Sequence, residues 1–321
     1  MSEVRRLAAI DIGTVTMRLL VADVSATRID EVMRCTNITH LGEGTVGSGQ
    51  LSAEALCRVA AVAREYAGLL AEYGVEHVTA YATSASRDAE NGDDLVAVMA
   101  EAGISARIID GESEARLSFA GATWSAAGDN ILVIDVGGGS TELIFGSAAR
   151  ESDGSLETDI EQVRSIDVGS RRITEMFLRA DPPTRTELDA ARAFIAGELR
   201  PYFDTMRAKP RTLFSLAGAA TSLSAINLEL EPYDSERVHL SCLTGPQLAD
   251  LVGWLSGLTL AKRREVVGLH PDRAAVIVAG ALIIESALAL SGLDSTVVSE
   301  HDILYGILLE AFSAPLPAET H

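Results

Sequence analysis

Two short segments of the chain place an acid beside a glycine turn. The richer one reads Asp135-Val136-Gly137-Gly138-Gly139-Ser140-Thr141-Glu142. Three consecutive glycines let the backbone approach a ligand closely and aim several N–H groups at one point, which is how a nest holds phosphate. Ser140 and Thr141 add hydroxyl donors, and Asp135 and Glu142 bracket the turn with hard oxygen ligands suited to Mg²⁺ or Mn²⁺. A hairpin turn with solvated acids would show the same three glycines. An apolar strand delivering an acid on each side favours the phosphate reading. The segment is no dinucleotide fingerprint, since G-x-G-x-x-G is absent and no helix follows. The second segment, Asp11-Ile12-Gly13-Thr14-Val15-Thr16, is an ordinary turn when read alone. Paired with the first it becomes the other wall of a phosphate cleft: Gly13, Thr14 and Thr16 face the anion, Asp11 joins Asp135 and Glu142 as a metal ligand, and Arg18 reaches in from just beyond the turn.

The elements around these turns set the fold class. Residues 7–21 and 131–145 share one pattern: an apolar run, Asp, an apolar residue, Gly, a hydroxyl-rich turn, then another apolar run. Both read as strand, tight turn, strand. A duplicated unit at this separation predicts two related domains, residues 1–128 and 129–321, dividing at the small, polar stretch 126–130. Between the hairpins, periodicity predicts a helix over 51–73 capped by Ser52, a strand over 75–81, a helix from Asp93 to near Gly103, a strand over 106–109 and a helix over 112–121. The second half predicts helices over 184–206, 245–255 and 273–290, and strands over 212–216 and 296–298. Alternation of this kind is α/β. Trp124 and Trp254 read as core, and the tail at 314–317 reads as loose.

Charge and composition narrow the partners. The 321 residues carry 46 Asp and Glu against 26 Lys and Arg, a net charge of −20. A duplex-binding protein needs a basic surface to displace counterions, so nucleic acid is disfavoured, as is docking on an anionic membrane. A local site can still oppose the global sign. Only Lys209 and Lys262 are lysines, so the positive charge is almost all arginine, which suits bidentate phosphate contacts. Three widely spaced cysteines form no metal or disulfide pattern and point to a reducing cytoplasm. The first apolar stretch is cut by Asp11, so it reads as a strand rather than a signal peptide. No run reaches the ~20 residues of a membrane span. The scattered histidines have no metal spacing, although His301, between Glu300 and Asp302, could face the cleft.

At this point the chain resembles a family. The two Asp-x-Gly hairpins, with Leu216-Ala217-Gly218-Ala219-Ala220-Thr221 later, resemble the actin, Hsp70 and sugar-kinase superfold. Within it, Asp110-Gly111-Glu112-Ser113-Glu114-Ala115-Arg116-Leu117 is similar to the E-A-R segment of the exopolyphosphatase/guanosine-pentaphosphate phosphatase family. The stretches at 81–89, 269–280 and 298–306 also resemble that family, so the likeness runs in order along nearly the whole chain, in the short, two-domain form.

The resemblance implies two actin-like, ribonuclease H-like domains with a cleft between them, the last helix packing back on the first domain. It implies a phosphoanhydride hydrolase releasing orthophosphate from inorganic polyphosphate, pppGpp or nucleotides, with Mg²⁺ or Mn²⁺, as a homodimer. It makes Glu114 the catalytic base, Arg87 a phosphate ligand and Gly218 part of a further phosphate loop. Physics is compatible for Glu114, which would sit in the first turn of a helix where the dipole favours a carboxylate. Without the resemblance, a helix-start acid kept for the dipole alone is the simpler reading. Two positions depart from the family pattern: Val15 stands where the first loop has Asn, and Ala219 where the later loop has a hydroxyl. An ATP-dependent kinase or ATPase of the same superfold, and a non-catalytic polyphosphate or alarmone sensor, are the rival readings. A polyanion substrate demands cations at the cleft, and Arg18, Arg87, Arg171 and Arg172 are expected there.

Overall fold

The computed structural model describes residues 4–314; the tail expected to be loose falls outside them from residue 315 on. Strands β1 (Arg5–Ile12), β2 (Thr16–Val24), β3 (Ile29–Ile38), β4 (His77–Ala82) and β5 (Ala106–Ile108) form one sheet in the order β3-β2-β1-β4-β5. Strands β6 (Gly128–Val136), β7 (Thr141–Arg150), β8 (Leu156–Ile166), β9 (Thr212–Leu216), β10 (Cys242–Thr244) and β11 (Ser295–Val298) form a second, in the order β10-β11-β9-β6-β7-β8. Each begins as an antiparallel three-strand meander and then adds parallel strands on the other side of its first strand. The second sheet retraces the first, with β10 as an added edge. The repeat read from the sequence is therefore a repeated sheet.

Helices cover both faces of each sheet, so the central strands are apolar on both sides rather than alternating. In β1, Ala8, Ile10 and Ile12 pack toward the helices Ala53–Glu72 and Gly92–Glu101, and Leu7 and Ala9 pack toward the helix Ile303–Ser313. In β6, Leu132, Ile134 and Val136 pack toward the helices Arg185–Asp204 and Ile277–Ser291, and Ile131 and Val133 toward the helix Gly111–Thr123. The last helix thus lies on the first sheet, and the helix following β5 lies on the second. The two meet at glycines. A Cβ on Gly121 would sit 1.8 Å from the carbonyl of Asp302, and one on Gly306 would sit 2.0 Å from that of Leu117.

Local signals held where caps were explicit. Ser52 caps its helix by accepting the Ala55 N–H, and Thr184 forms a capping box with Glu187. The helix expected from Arg273 begins instead at Ile277, because His270-Pro271 starts a separate 3₁₀ turn over Pro271–Arg273. Trp124 is buried, but Trp254 is 49% exposed, opposite the buried Leu248, Leu251 and Leu255 of its helix. No helix among the described residues is long and apolar enough to cross a membrane.

Candidate active site

Strand parity aims the acids. Side chains alternate across a strand, so Asp11 shares the face of Leu7 and Ala9, and Asp135 the face of Ile131 and Val133. Both point toward the pair of helices between the sheets. In each hairpin the acid has one cross-strand neighbour: Asp11 lies opposite Arg18, and Asp135 lies opposite Glu142. The first pair is neutralised. Arg18 donates to Asp11 from Nε at 3.0 Å and from Nη2 at 2.7 Å, and its Nη1 contacts Asp302. The second pair is two like charges side by side, an arrangement that disfavours double ionisation.

Titration follows from that difference. Burial, then the Asp135 charge, raises the Glu142 carboxyl to about 7. Burial raises Asp135 to about 6, with Asp302 and Asp11 adding to it against a hydrogen bond from Ser118. Ser118 Oγ donates to Asp135 at 2.6 Å and Ser165 Oγ to Glu142 at 2.7 Å. Burial also pushes Asp11 up, against the pull of Arg18. Asp302 goes the other way: its burial is outweighed by Arg18 and Arg34, which hold it below the ordinary carboxylate range.

The helix Gly111–Thr123 starts at Asp110, whose side chain accepts the Ser113 N–H. Glu114, Ser118 and Gly121 follow at spacings of four and three, one face of the helix. That face supplies the candidate base, the donor to Asp135 and the gap that admits the Asp302 backbone. Arg87 Nη1 donates to Glu114 at 2.9 Å and to the Ile109 carbonyl at 3.2 Å. Burial and the Glu142 charge raise Glu114 well above the usual value, and Arg87 opposes them. A carboxylate whose pKa is raised is a stronger base than an ordinary one.

One cavity joins these parts. Asp11, Gly13, Thr14, Thr16, Arg18, Glu114, Asp135, the Gly137–Gly139 turn, Ser140 and Gly218 all line it. Val15 lines it too, and packs its methyl group toward Gly138. Thr141 is buried behind the turn with its hydroxyl bound to the Val168 carbonyl, so it holds the loop rather than facing the cavity. Arg87 and Glu142 stand behind Glu114 and Asp135. The sequence reading missed Arg273 and Asp302. Arg273 lines the cavity and donates to the Gly218 carbonyl and Ser222 Oγ at 3.2 and 3.3 Å. It makes no ion pair among the described residues, and burial lowers its pKa. The absent Cβ of Gly218 is what admits its guanidinium. His301 does not face the cavity. It stacks between His239 and Tyr305 and is held neutral by burial, its pKa lowered to about 3.

The four arginines expected at the cleft are all near it, and each is already engaged. Arg18 binds Asp11 and Asp302, Arg87 binds Glu114, Arg172 binds Asp88 at 2.6 Å, and Arg171 contacts His40 and lies 3.6 Å from Glu175. Asp11, Asp135, Asp302, Glu114 and Glu142 outnumber Arg18, Arg87 and Arg273 by two. Burial holds three of these acids, Glu114, Asp135 and Glu142, above the ordinary carboxylate range, so protonation as well as a cation would offset the excess. Among the described residues no three His, Cys, Asp or Glu side chains converge as a metal cage, so Asp11, Asp135 and Glu142 are not a complete ligand set. Asp11 is the least available of them, since Arg18 holds it. Asp135, which lines the cavity, still fits a hydrated Mg²⁺ held by one carboxylate and by substrate oxygens, with Glu142 buried beside it.

With this geometry in view, known proteins are informative. The Ppx/GppA phosphatase family model matches residues 20–311. Exopolyphosphatase 2 of Mycobacterium tuberculosis is 38% identical over 321 aligned residues, covering 95% of this chain and 98% of that protein. The crystal structure of an exopolyphosphatase-like protein superposes with a TM-score of 0.89 at 34% identity, covering 96% of this chain and 98% of that one. The Ppx/GppA family member of Aquifex aeolicus superposes with a TM-score of 0.80 at 29% identity, with coverage of 96% and 98%.

Proposed function

We propose a function on one premise: the chain belongs to the Ppx/GppA phosphatase family. Its fold is α/β, two actin-like domains across a cleft, and it is a phosphoanhydride hydrolase. The reaction is removal of the terminal phosphate of inorganic polyphosphate as orthophosphate, with pppGpp as a further substrate. The observation that carries this reading is the meeting, in one cavity, of two glycine turns and a carboxylate of raised pKa, Glu114.

The backbone of Gly137–Gly139 and of Gly13 and Thr14 holds the terminal phosphoryl group, with the hydroxyls of Thr16 and Ser140 beside it. Arg273 neutralises oxygens from the Gly218 side. Glu114, fixed by Arg87, orients a water in line with the scissile bond and takes its proton. The transition state is loose and anionic, so positioning and charge do most of the work. Mg²⁺ or Mn²⁺, held through Asp135 and Glu142, would offset charge on the phosphate oxygens. In this reading residues 1–128 and 129–321 form the two lobes, supported by the division of β1–β5 and β6–β11 between two sheets. The enzyme works in the cytoplasm, consistent with its free cysteines, and as a homodimer, which light scattering tests.

The test is phosphate release from short- and long-chain polyphosphate, pppGpp and ATP, with and without Mg²⁺. Mg²⁺-dependent release from polyphosphate supports the reading. Binding with no release sinks it in favour of a sensor, and release from ATP alone in favour of an ATPase.

A further inference from the structure

The glycine turn is fastened from behind, one carbonyl at a time. Its peptides are trans and close to planar, so each carbonyl points opposite to the N–H of the next residue. The Gly137 carbonyl accepts from the N–H of Ser170 at 2.9 Å and from its hydroxyl at 3.1 Å. The Gly138 carbonyl accepts from the N–H groups of Arg171 and Arg172 at 2.9 and 3.1 Å. The Gly139 carbonyl accepts from Arg172 Nε at 2.8 Å. Three successive carbonyls thus face the start of the helix Ser170–Phe177, and the N–H groups of Gly138, Gly139 and Ser140 turn away from it. Those three N–H groups have no acceptor among the described residues, and all three residues line the cavity.

The first N–H groups of a helix have no acceptor within it. Here they serve the loop that would hold the anion rather than an anion itself. Gly169 permits the close approach, since a Cβ there would lie 2.4 Å from the Gly138 carbonyl carbon and oxygen. The third carbonyl differs from the other two. Among the described residues no backbone N–H reaches it, and its one partner is the Arg172 side chain. That guanidinium is itself fixed: Nη2 lies 2.6 Å from Asp88 and 3.7 Å from Asp167, and the side chain is only 20% exposed. A charged donor on a carbonyl also polarises the peptide, which strengthens the N–H at its other end.

We propose that Arg172 is a positioning residue for the terminal phosphoryl group: by holding the Gly139 carbonyl outward it aims the Ser140 N–H into the cavity. Arg172 then touches no phosphate, although its charge alone suggests a phosphate contact. A fixed N–H matters most where charge gathers on the phosphoryl oxygens in the transition state, so its loss is read in kcat before KM. This kinetic consequence rests on the proposed hydrolase reading; the orientation of the peptide does not.

The experiment compares Arg172→Met, which keeps an apolar stem and removes every donor, and Arg172→Lys with the parent, after urea melting has shown each to be folded. Removing an oxyanion donor outright costs about 10²–10³-fold in kcat, so leaving one free to swing should cost about 10–100-fold on polyphosphate, with KM within about threefold of the parent. Arg172→Lys should recover part of the loss. A kcat like that of the parent, whatever KM does, overturns the proposal. The direct readout needs no turnover. With isotope-labelled glycine and serine, added orthophosphate should move the amide resonances of Gly138, Gly139 and Ser140. In Arg172→Met the Ser140 response should be lost, while Gly138 and Gly139, whose preceding carbonyls are held by residues 170–172 through other groups, still respond. A Ser140 response equal to the parent's, a parent in which Ser140 does not respond, or loss of all three responses together overturns the proposal. The last outcome would make Arg172 a prop for the whole turn. If the parent gives the shifts but releases no phosphate from polyphosphate, the hydrolase reading falls and the positioning of Ser140 stands.

Discussion

Replacing Gly306 by alanine should loosen the fold and slow the enzyme through one displacement. The added Cβ would stand 2.0 Å from the Leu117 carbonyl oxygen and 2.8 Å from its Cα. These are backbone atoms inside the helix Gly111–Thr123, so no side chain can rotate away. The helices must part by roughly 1–1.5 Å to restore ordinary contact. Overpacking of this kind costs about 1–3 kcal/mol, which urea melting reads as a lower midpoint at unchanged slope. The displaced helix carries Glu114 three residues before Leu117 and Ser118 one residue after it. A misplacement near 1 Å in a reacting group costs on the order of 10²-fold in rate, so phosphate release should fall by about that factor in protein that is still folded. Gly68→Ala is the control: nothing lies within 4 Å of its Cβ, and in mid-helix it should stabilise by about 0.5–1 kcal/mol. If Gly306→Ala melts and turns over like the parent, the close crossing does not position Glu114 and the argument fails.

Two further outcomes follow from the buried charges. Asp135 and Glu142 have native pKa values raised to about 6 and about 7, so the native state keeps its protons to higher pH than the unfolded chain. Their contribution to metal-free stability is therefore fully present below the ordinary carboxylate range and is lost as pH rises toward 7, by on the order of 3 kcal/mol for each carboxyl. Mg²⁺ should restore part of it at pH 8, and Glu142→Gln should flatten the fall; a melting temperature level from pH 5 to 7.5 would contradict this. Arg18→Met leaves Asp11 and Asp302 buried without their shared cation, so it should cost about 3–5 kcal/mol in denaturant melts. A loss under 1 kcal/mol would show that water reaches those acids.

Much of this site was legible because strand parity and turn chemistry are local. Asp11, Asp135 and Glu142 were placed by counting along apolar runs, and the glycines by what a turn between them requires. The third strands were not legible. β3 and β8 are half-exposed edges whose apolar positions are diluted by Asp, Glu, Arg and Thr. Arg273 and Asp302 were missed because their roles depend on pairing across the chain: Asp302 meets Arg18 from 284 residues away, and Arg273 meets Gly218 from 55. A usable signal existed in the helix after Asp110, where Ser118 interrupts an apolar stretch four residues after Glu114 and three before Gly121. Nor could the sequence show that Arg18 is occupied, since a cleft arginine looks the same whether it faces a phosphate or two buried acids.

The central claim is that Glu114 takes the proton from the attacking water, and Glu114→Gln tests it directly. The substitution keeps size and leaves an oxygen for Arg87, but removes the basic carboxylate. Single-turnover phosphate release from polyphosphate at saturating Mg²⁺ should fall about 10²–10⁴-fold, with polyphosphate binding nearly unchanged. Turnover like that of the parent would contradict the account.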